Sequence, residues 1–152
     1  MKKIALTRGR FALIDDEDFS RLSIHNWWMH GVLGYARMME RVDGKKVYTF
    51  MHRLVLKAKK GTRVDHKNGD TLDNRKINLR FCTHAENLAN VKRRKTSSAP
   101  YKGIQKRKSK KPMWAAFLKK EYLGQFPTPE LAALAYDKRA KEVYGEFAKT
   151  NF

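Results

Sequence analysis

The chain is short of several things. It has one cysteine, Cys82, in 152 residues. A single thiol excludes an intrachain disulfide and any zinc finger built on several cysteines, and it suits a reducing cytoplasm. Acidic residues are scarce, 15 Asp and Glu against 34 Lys and Arg, for a formal charge of +19. Long apolar runs are absent too, since none approaches the roughly 20 residues needed to span a bilayer. The opening MKKIALTRGRF begins like a secretory leader, but Arg8 and Arg10 break its apolar stretch at once, and it is expected to be a strand.

A charge of this size calls for a polyanionic partner, nucleic acid first and an anionic membrane surface second. The excess is spread along the chain. Residues 1–87 hold 18 basic against 10 acidic residues, 88–100 hold four against none, and 101–152 hold 12 against five. A basic tail would concentrate it, so every segment is a candidate for facing phosphate. Folded cores remain possible, because 41% of residues are hydrophobic and there are three Trp, six Tyr and eight Phe, more aromatics than a disordered basic protein carries.

The composition shifts most at VKRRKTSSAP, residues 91–100, where a basic run passes into small polar residues and a proline. This reads as a linker between two parts. In the first part, Lys3–Ile14 is expected to form strands around a turn at Gly9, and Asp15–Trp27 a helix with an acidic start. Val32–Glu40 and Lys46–Met51 read as a hairpin turned at Asp43-Gly44, and His52–Leu56 as a short helix. In the second part YKGIQKRK, MWAAFLKK and the run through GQF read as three strands. A helix should follow, with Thr128 as its N-cap, Pro129 in its first turn and Gly145 at its end. Leu131, Leu134, Ala135, Lys138 and Val143 mark it as amphipathic.

The most informative stretch is VDHKNGDTLDNRKINLRFCTHAENLAN, residues 64–90. Arg63–His66 and Leu79–Cys82 read as strands either side of a polar loop, and Thr83 with Glu86 forms a capping box for a helix that carries Asn87. Asp65 and Asn87 offer oxygen ligands suited to a hard divalent ion, Mg²⁺ or Mn²⁺. Successive side chains on a strand point to opposite faces, so His66 should not bind that ion. An imidazole beside a phosphate can take a proton from water, and Asn78 could fix its tautomer. Such a set would serve metal-assisted phosphodiester hydrolysis.

At these residues the chain resembles the HNH, or ββα-metal, endonucleases, in the branch typical of phage and intron-encoded homing enzymes. The landmarks are VDHKNG, LDNR, INLR and AENLAN. The resemblance implies Asp65 and Asn87 as metal ligands, His66 as general base and Asn78 as its orienting partner. The third letter of the family name is Asn here rather than His. His52, in MHRL, is expected to be packed or phosphate-facing, and Cys82 a small buried residue.

Residues 101–152 resemble the AP2/ERF DNA-binding domain through YKGI, MWAAF, YLGQF, ELAALAYDKRA and AKTNF. That family lays a three-stranded sheet, backed by a helix, in the DNA major groove. The likeness implies DNA contacts from Lys102, Gly103, Gln105 and Arg107 on the first strand, Lys119 on the second, and Lys120 and Tyr122 at the start of the third. Trp114 matches a core position, while Tyr136 is open to a phosphate or a core role. Lys and Gln stand where several arginines are expected, which implies a target less rich in G·C. The run Lys92, Arg93, Arg94 and Lys95 should track phosphates or enter a minor groove.

The expected fold is α+β: an N-terminal ββα-metal HNH nuclease domain over residues 1–90, a basic linker, and a small three-stranded sheet plus helix over residues 101–152. The expected function is sequence-directed, metal-dependent cleavage of double-stranded DNA by a monomer, one strand at a time. The implied setting is the cytoplasm of a bacterial host carrying a phage or mobile element. The competing readings are a DNA-binding regulator with an inactive nuclease-like domain and a basic RNA-binding protein.

Overall fold

A computed structural model describes residues 1–31, 34–92, 98–108 and 111–152. It divides into two compact units, Met1–Thr83 and His84–Phe152. None of the helices among the described residues is long and apolar enough to cross a membrane.

The first unit is a set of small antiparallel sheets with short helices between them. Strands β1 (Lys2–Ala5) and β2 (Phe11–Ile14) pair from Lys2↔Ile14 to Ala5↔Phe11 around a turn at Thr7–Gly9. Alternation along them buries Ile4, Ala12 and Ile14. The acidic run forms a single 3-10 turn, Asp16–Asp18, before helix α1 (Phe19–Ser23), so the helix is much shorter than expected. Buried Trp27 ends the region by donating its indole N–H to the carbonyl of Leu22 at 2.7 Å. Strands β3 (Trp28–Met29), β4 (Ala36–Val42) and β5 (Lys45–Phe50) form a sheet in that order. Asp43 and Gly44, at φ 50° and 74°, turn the β4–β5 hairpin, as the Asp-Gly pair requires. Helix α2 (Met51–Val55) then packs Met51 and Val55 into a core shared with Ile4, Ile14, Leu22 and Trp27. Strands β6 (Arg63–His66) and β7 (Leu79–Cys82) complete the unit as a separate two-stranded ribbon. Leu79 is buried, and Cys82 is half-buried rather than enclosed.

The second unit begins with helix α3 (His84–Ala89). The sequence places the division at residues 91–100, but the structural boundary precedes this helix. The carbonyl of Ala89 accepts from Lys102 Nζ at 2.6 Å and from the Lys149 amide at 3.2 Å, which ties α3 to the remainder of the second unit. Strands β8 (Ile104–Arg107), β9 (Met113–Leu118) and β10 (Glu121–Phe126) form an antiparallel sheet in the order β10-β9-β8. Helix α4 (Pro129–Tyr144) lies on it. Thr128 Oγ1 caps α4 by accepting from the Leu131 amide at 3.3 Å, Pro129 fills its first turn, and Gly145 ends it.

The face α4 buries is not the one its leucines marked. Leu131, Leu134 and Val143 are 45–51% exposed, whereas Ala132, Ala133, Tyr136 and Ala140 are buried. Small side chains bring the helix axis close to the sheet, where buried Ala116 and Ile104 meet them. Close packing also accounts for Gly103, at φ +77°. A Cβ there would lie 2.0 Å from Tyr136 Cδ2. Asp137, buried among these residues, accepts from the amides of Asn151 and Phe152 at 2.9 and 3.0 Å and from the Asn151 side chain at 2.9 Å. Asn151 in turn accepts from the Lys102 amide at 2.7 Å and donates to the Lys102 carbonyl at 3.2 Å.

Candidate active site and nucleic-acid interface

The β6–β7 ribbon sets the chemistry-bearing residues in register. Asp65 stands opposite Arg80, and His66 opposite Leu79. Both Asp65 and His66 are buried. A buried charge is costly unless it is paired, and Arg80 pairs with this one, Nε and Nη2 donating to Asp65 Oδ2 at 3.0 and 2.9 Å. Arg80 was not among the residues expected to act. Its signal is the antiparallel pairing itself, which puts it across from the acid once the two strands are recognised.

The loop between the strands is polar, and Asp73, Asn74 and Asn78 are buried within it. Asn68 Oδ1 accepts from the Asp70 amide at 2.8 Å, and Asp70 Oδ1 from the Leu72 amide at 3.0 Å, two Asx turns in succession. Buried Asp73 accepts from Asn68 Nδ2 at 3.0 Å and from the Arg75 guanidinium at 2.7 and 2.6 Å. Those bonds hold its carboxyl below the usual carboxylate range. The loop is stitched to β2 through Leu13 N–Leu72 O and Asn74 N–Leu13 O, both 2.8 Å.

Asn78 is placed differently from its expected role. Its Oδ1 accepts from the Asn68 amide at 3.0 Å, and its Nδ2 donates to the Asp73 carbonyl at 2.8 Å. Both ends of the amide therefore clasp the loop rather than the imidazole. The amide that bears on His66 is that of fully buried Asn74, whose side chain favours the protonated ring. Burial lowers the His66 pKa. The Asn74 side chain and the carboxylates of Asp65, Asp70 and Asp73 work against that shift. The ring is thus neutral near pH 7, and the same neighbours favour the cation once a proton arrives.

The other expected ligand, Asn87, stands half-buried on α3 of the second unit. Asp65 and Asn87 each offer an oxygen, the donor type that Mg²⁺ and Mn²⁺ prefer.

On the second unit, the pairings Gln105↔Ala115, Arg107↔Met113, Tyr122↔Phe117 and Gln125↔Ala115 place these residues on one sheet face. It is the face turned away from α4; Ile104, Ala116 and Phe126 lie on the other face, packed with the helix. Gln105, Arg107 and Tyr122 are exposed there, and Lys119 and Lys120 are exposed at the β9–β10 turn. Two expected DNA contacts are placed otherwise. Lys102 is half-buried with its ammonium on the Ala89 carbonyl, and burial lowers its pKa. Gly103 is held against Tyr136, itself a core residue. Lys92 is exposed, while Arg93, Arg94 and Lys95 lie outside the described residues. Trp114 packs against the core.

Comparison with known proteins points the same way as the ribbon. Residues 49–89 match the sequence profile of a family described as HNH endonuclease. A protein of Acanthamoeba polyphaga mimivirus described as an HNH endonuclease is 29% identical over 149 residues, covering 95% of this chain and 76% of that protein. No solved structure matches the chain significantly. The chain thus carries an HNH endonuclease domain and is a DNA endonuclease.

Proposed function

We propose that the chain is a sequence-directed, metal-dependent endonuclease of the homing type that nicks double-stranded DNA as a monomer. The observation that carries this is the buried Asp65–His66 pair at the end of β6, held by Arg80 and the clasped loop within the segment that matches the HNH profile. His66 is the general base. It accepts a proton from a water, whose oxygen then attacks phosphorus as the bond to the 3′ oxygen breaks. Asp65 and Asn87 are the metal ligands, a pairing that rests on the spacing of the motif. A bound Mg²⁺ or Mn²⁺ supplies positive charge to the phosphate and the departing oxygen. Arg80 orients the Asp65 carboxylate through its two hydrogen bonds.

One such set of residues per chain serves one strand at a time. Target choice belongs to the second unit, read as an AP2/ERF-like module whose open sheet face presents Gln105, Arg107 and Tyr122 to a groove. Exposed Lys92, Lys119 and Lys120, with the basic tract through Lys95, hold phosphates. A mobile-element setting fits a nuclease joined to its own DNA reader.

The test is conversion of supercoiled plasmid carrying the selected site to the open circle. We expect it with Mg²⁺ or Mn²⁺ and not with EDTA. His66→Ala should bind the site and leave it uncut. Binding without cleavage by the wild-type chain at any divalent metal overturns the reading.

A further inference from the structure

We propose that His52 and Tyr35 are positioning residues for His66, walling its imidazole so that a single ring edge meets the phosphate. This rests on the reading of His66 as general base. Backbone pairing with Leu79 fixes the root of the His66 side chain, but two side-chain rotations still separate that root from a defined ring orientation. Three rings in mutual contact remove this freedom. His52 meets His66 edge to face at 5.2 Å between centroids, with planes at 82°. Tyr35 lies 5.6 Å from His66 and 4.9 Å from His52. Phe50 backs the group, parallel to His52 within 11° at 5.6 Å. The contributors come from α2, the end of β5 and the residue just before β4, so distant parts of the first unit converge on one ring.

Core filling does not account for His52. It is buried, and its Nδ1 has no hydrogen-bond partner among the described residues. An aliphatic side chain would fill the same space without burying an unsatisfied nitrogen. What the imidazole offers and an aliphatic group lacks is a flat wall against His66. Burial pushes the His52 pKa down to about 3, so this wall stays neutral and does not oppose a positive charge on the neighbouring ring. Tyr35 is half-buried, and burial raises its pKa, which likewise leaves it uncharged.

The experiment compares ring-deleting with ring-keeping variants of the full chain, using single-turnover nicking with Mg²⁺, DNA affinity and thermal melting. His52→Leu is expected to slow nicking about 10- to 100-fold, the scale on which misplacing a catalytic group acts, with unchanged DNA affinity. His52→Phe is expected to recover most of the rate. Tyr35→Leu and Tyr35→Phe should repeat the pattern, and they decide the matter if His52→Leu does not fold. A ring-proton NMR signal of His66 that is sharp in the wild type should broaden or shift in the Leu variants and return in the Phe variants. Wild-type rates in a folded Leu variant, or no difference between Leu and Phe, overturn the proposal. His66→Ala is run alongside. If it still nicks, the general-base reading fails; if it does not while His52→Leu and Tyr35→Leu do so at full rate, positioning alone fails.

Discussion

Arg80 and Asp65 face each other across the β6–β7 ribbon, and one carboxylate oxygen, Oδ2, receives both guanidinium bonds at 3.0 and 2.9 Å. Both side chains are enclosed, 9% and 6% exposed. Removing one partner of such a pair strands the other without water or counter-charge, which costs about 3–5 kcal/mol. Arg80→Ala should therefore unfold at markedly lower urea concentration than the wild type. Adding Asp65→Asn to it should restore part of the loss, because the stranded charge is gone. A double-mutant cycle in urea checks this, and simple additivity of the two changes would contradict it.

Asn78 clasps the loop at two points, the Asn68 amide and the Asp73 carbonyl. Asn78→Ala deletes both bonds and leaves the buried Asp73 carbonyl without its donor, for a loss of about 1–3 kcal/mol. Amide exchange should accelerate at Asn68 more than in β1 or α2. Asn78→Asp should be no better, since an oxygen would then confront the Asp73 carbonyl.

Gly103→Ala tests how closely α4 sits on its sheet. The position combines a φ of +77° with a Cβ site 2.0 Å from the Tyr136 ring. Left-handed strain of about 1–2 kcal/mol adds to an overpacking cost of about 1–3 kcal/mol. The melting temperature of the second unit should fall by about 10 °C or more, while DNA nicking at low temperature persists.

His52 makes stability depend on pH. Its pKa is about 6.5 when unfolded and about 3 when folded, so the folded chain binds fewer protons between these values. The stability it contributes is complete above about pH 6.5 and is lost as pH falls toward 3, at no more than about 1.4 kcal/mol per pH unit. His66 is shifted in the same direction by burial and steepens the loss. Urea unfolding from about pH 7 down to 5 should show this slope, and His52→Phe should flatten it without changing its sign.

The sequence carried the ribbon and its two ends well. Arg63–His66 and Leu79–Cys82 are strands as expected, the Asp43-Gly44 turn closes its hairpin, and Thr128 caps α4. These features are local, since neighbouring residues decide them. What escaped depends on contacts between distant residues. Leu131 and Leu134 marked the wrong face of α4, because alanines allow a closer seat than leucines do. The Asn78 amide turned toward its own loop, while Asn74, tied through its backbone to Leu13, is the amide that bears on His66. Lys102 looked like a phosphate contact until Ala89 supplied its acceptor. His52 was expected to be packed or phosphate-facing and is buried, but nothing along the chain says that its ring and that of Tyr35 meet at residue 66.

Asn151 grips both the amide and the carbonyl of Lys102. The segment from Lys102 to Asn151 accordingly begins and finishes at one spot. A fold with adjoining ends can be spliced into a surface turn of an unrelated protein without prying its host apart, and it can be recut into a circular permutant. The DNA reader proposed here is thus shaped as a cassette, able to travel between hosts as one piece.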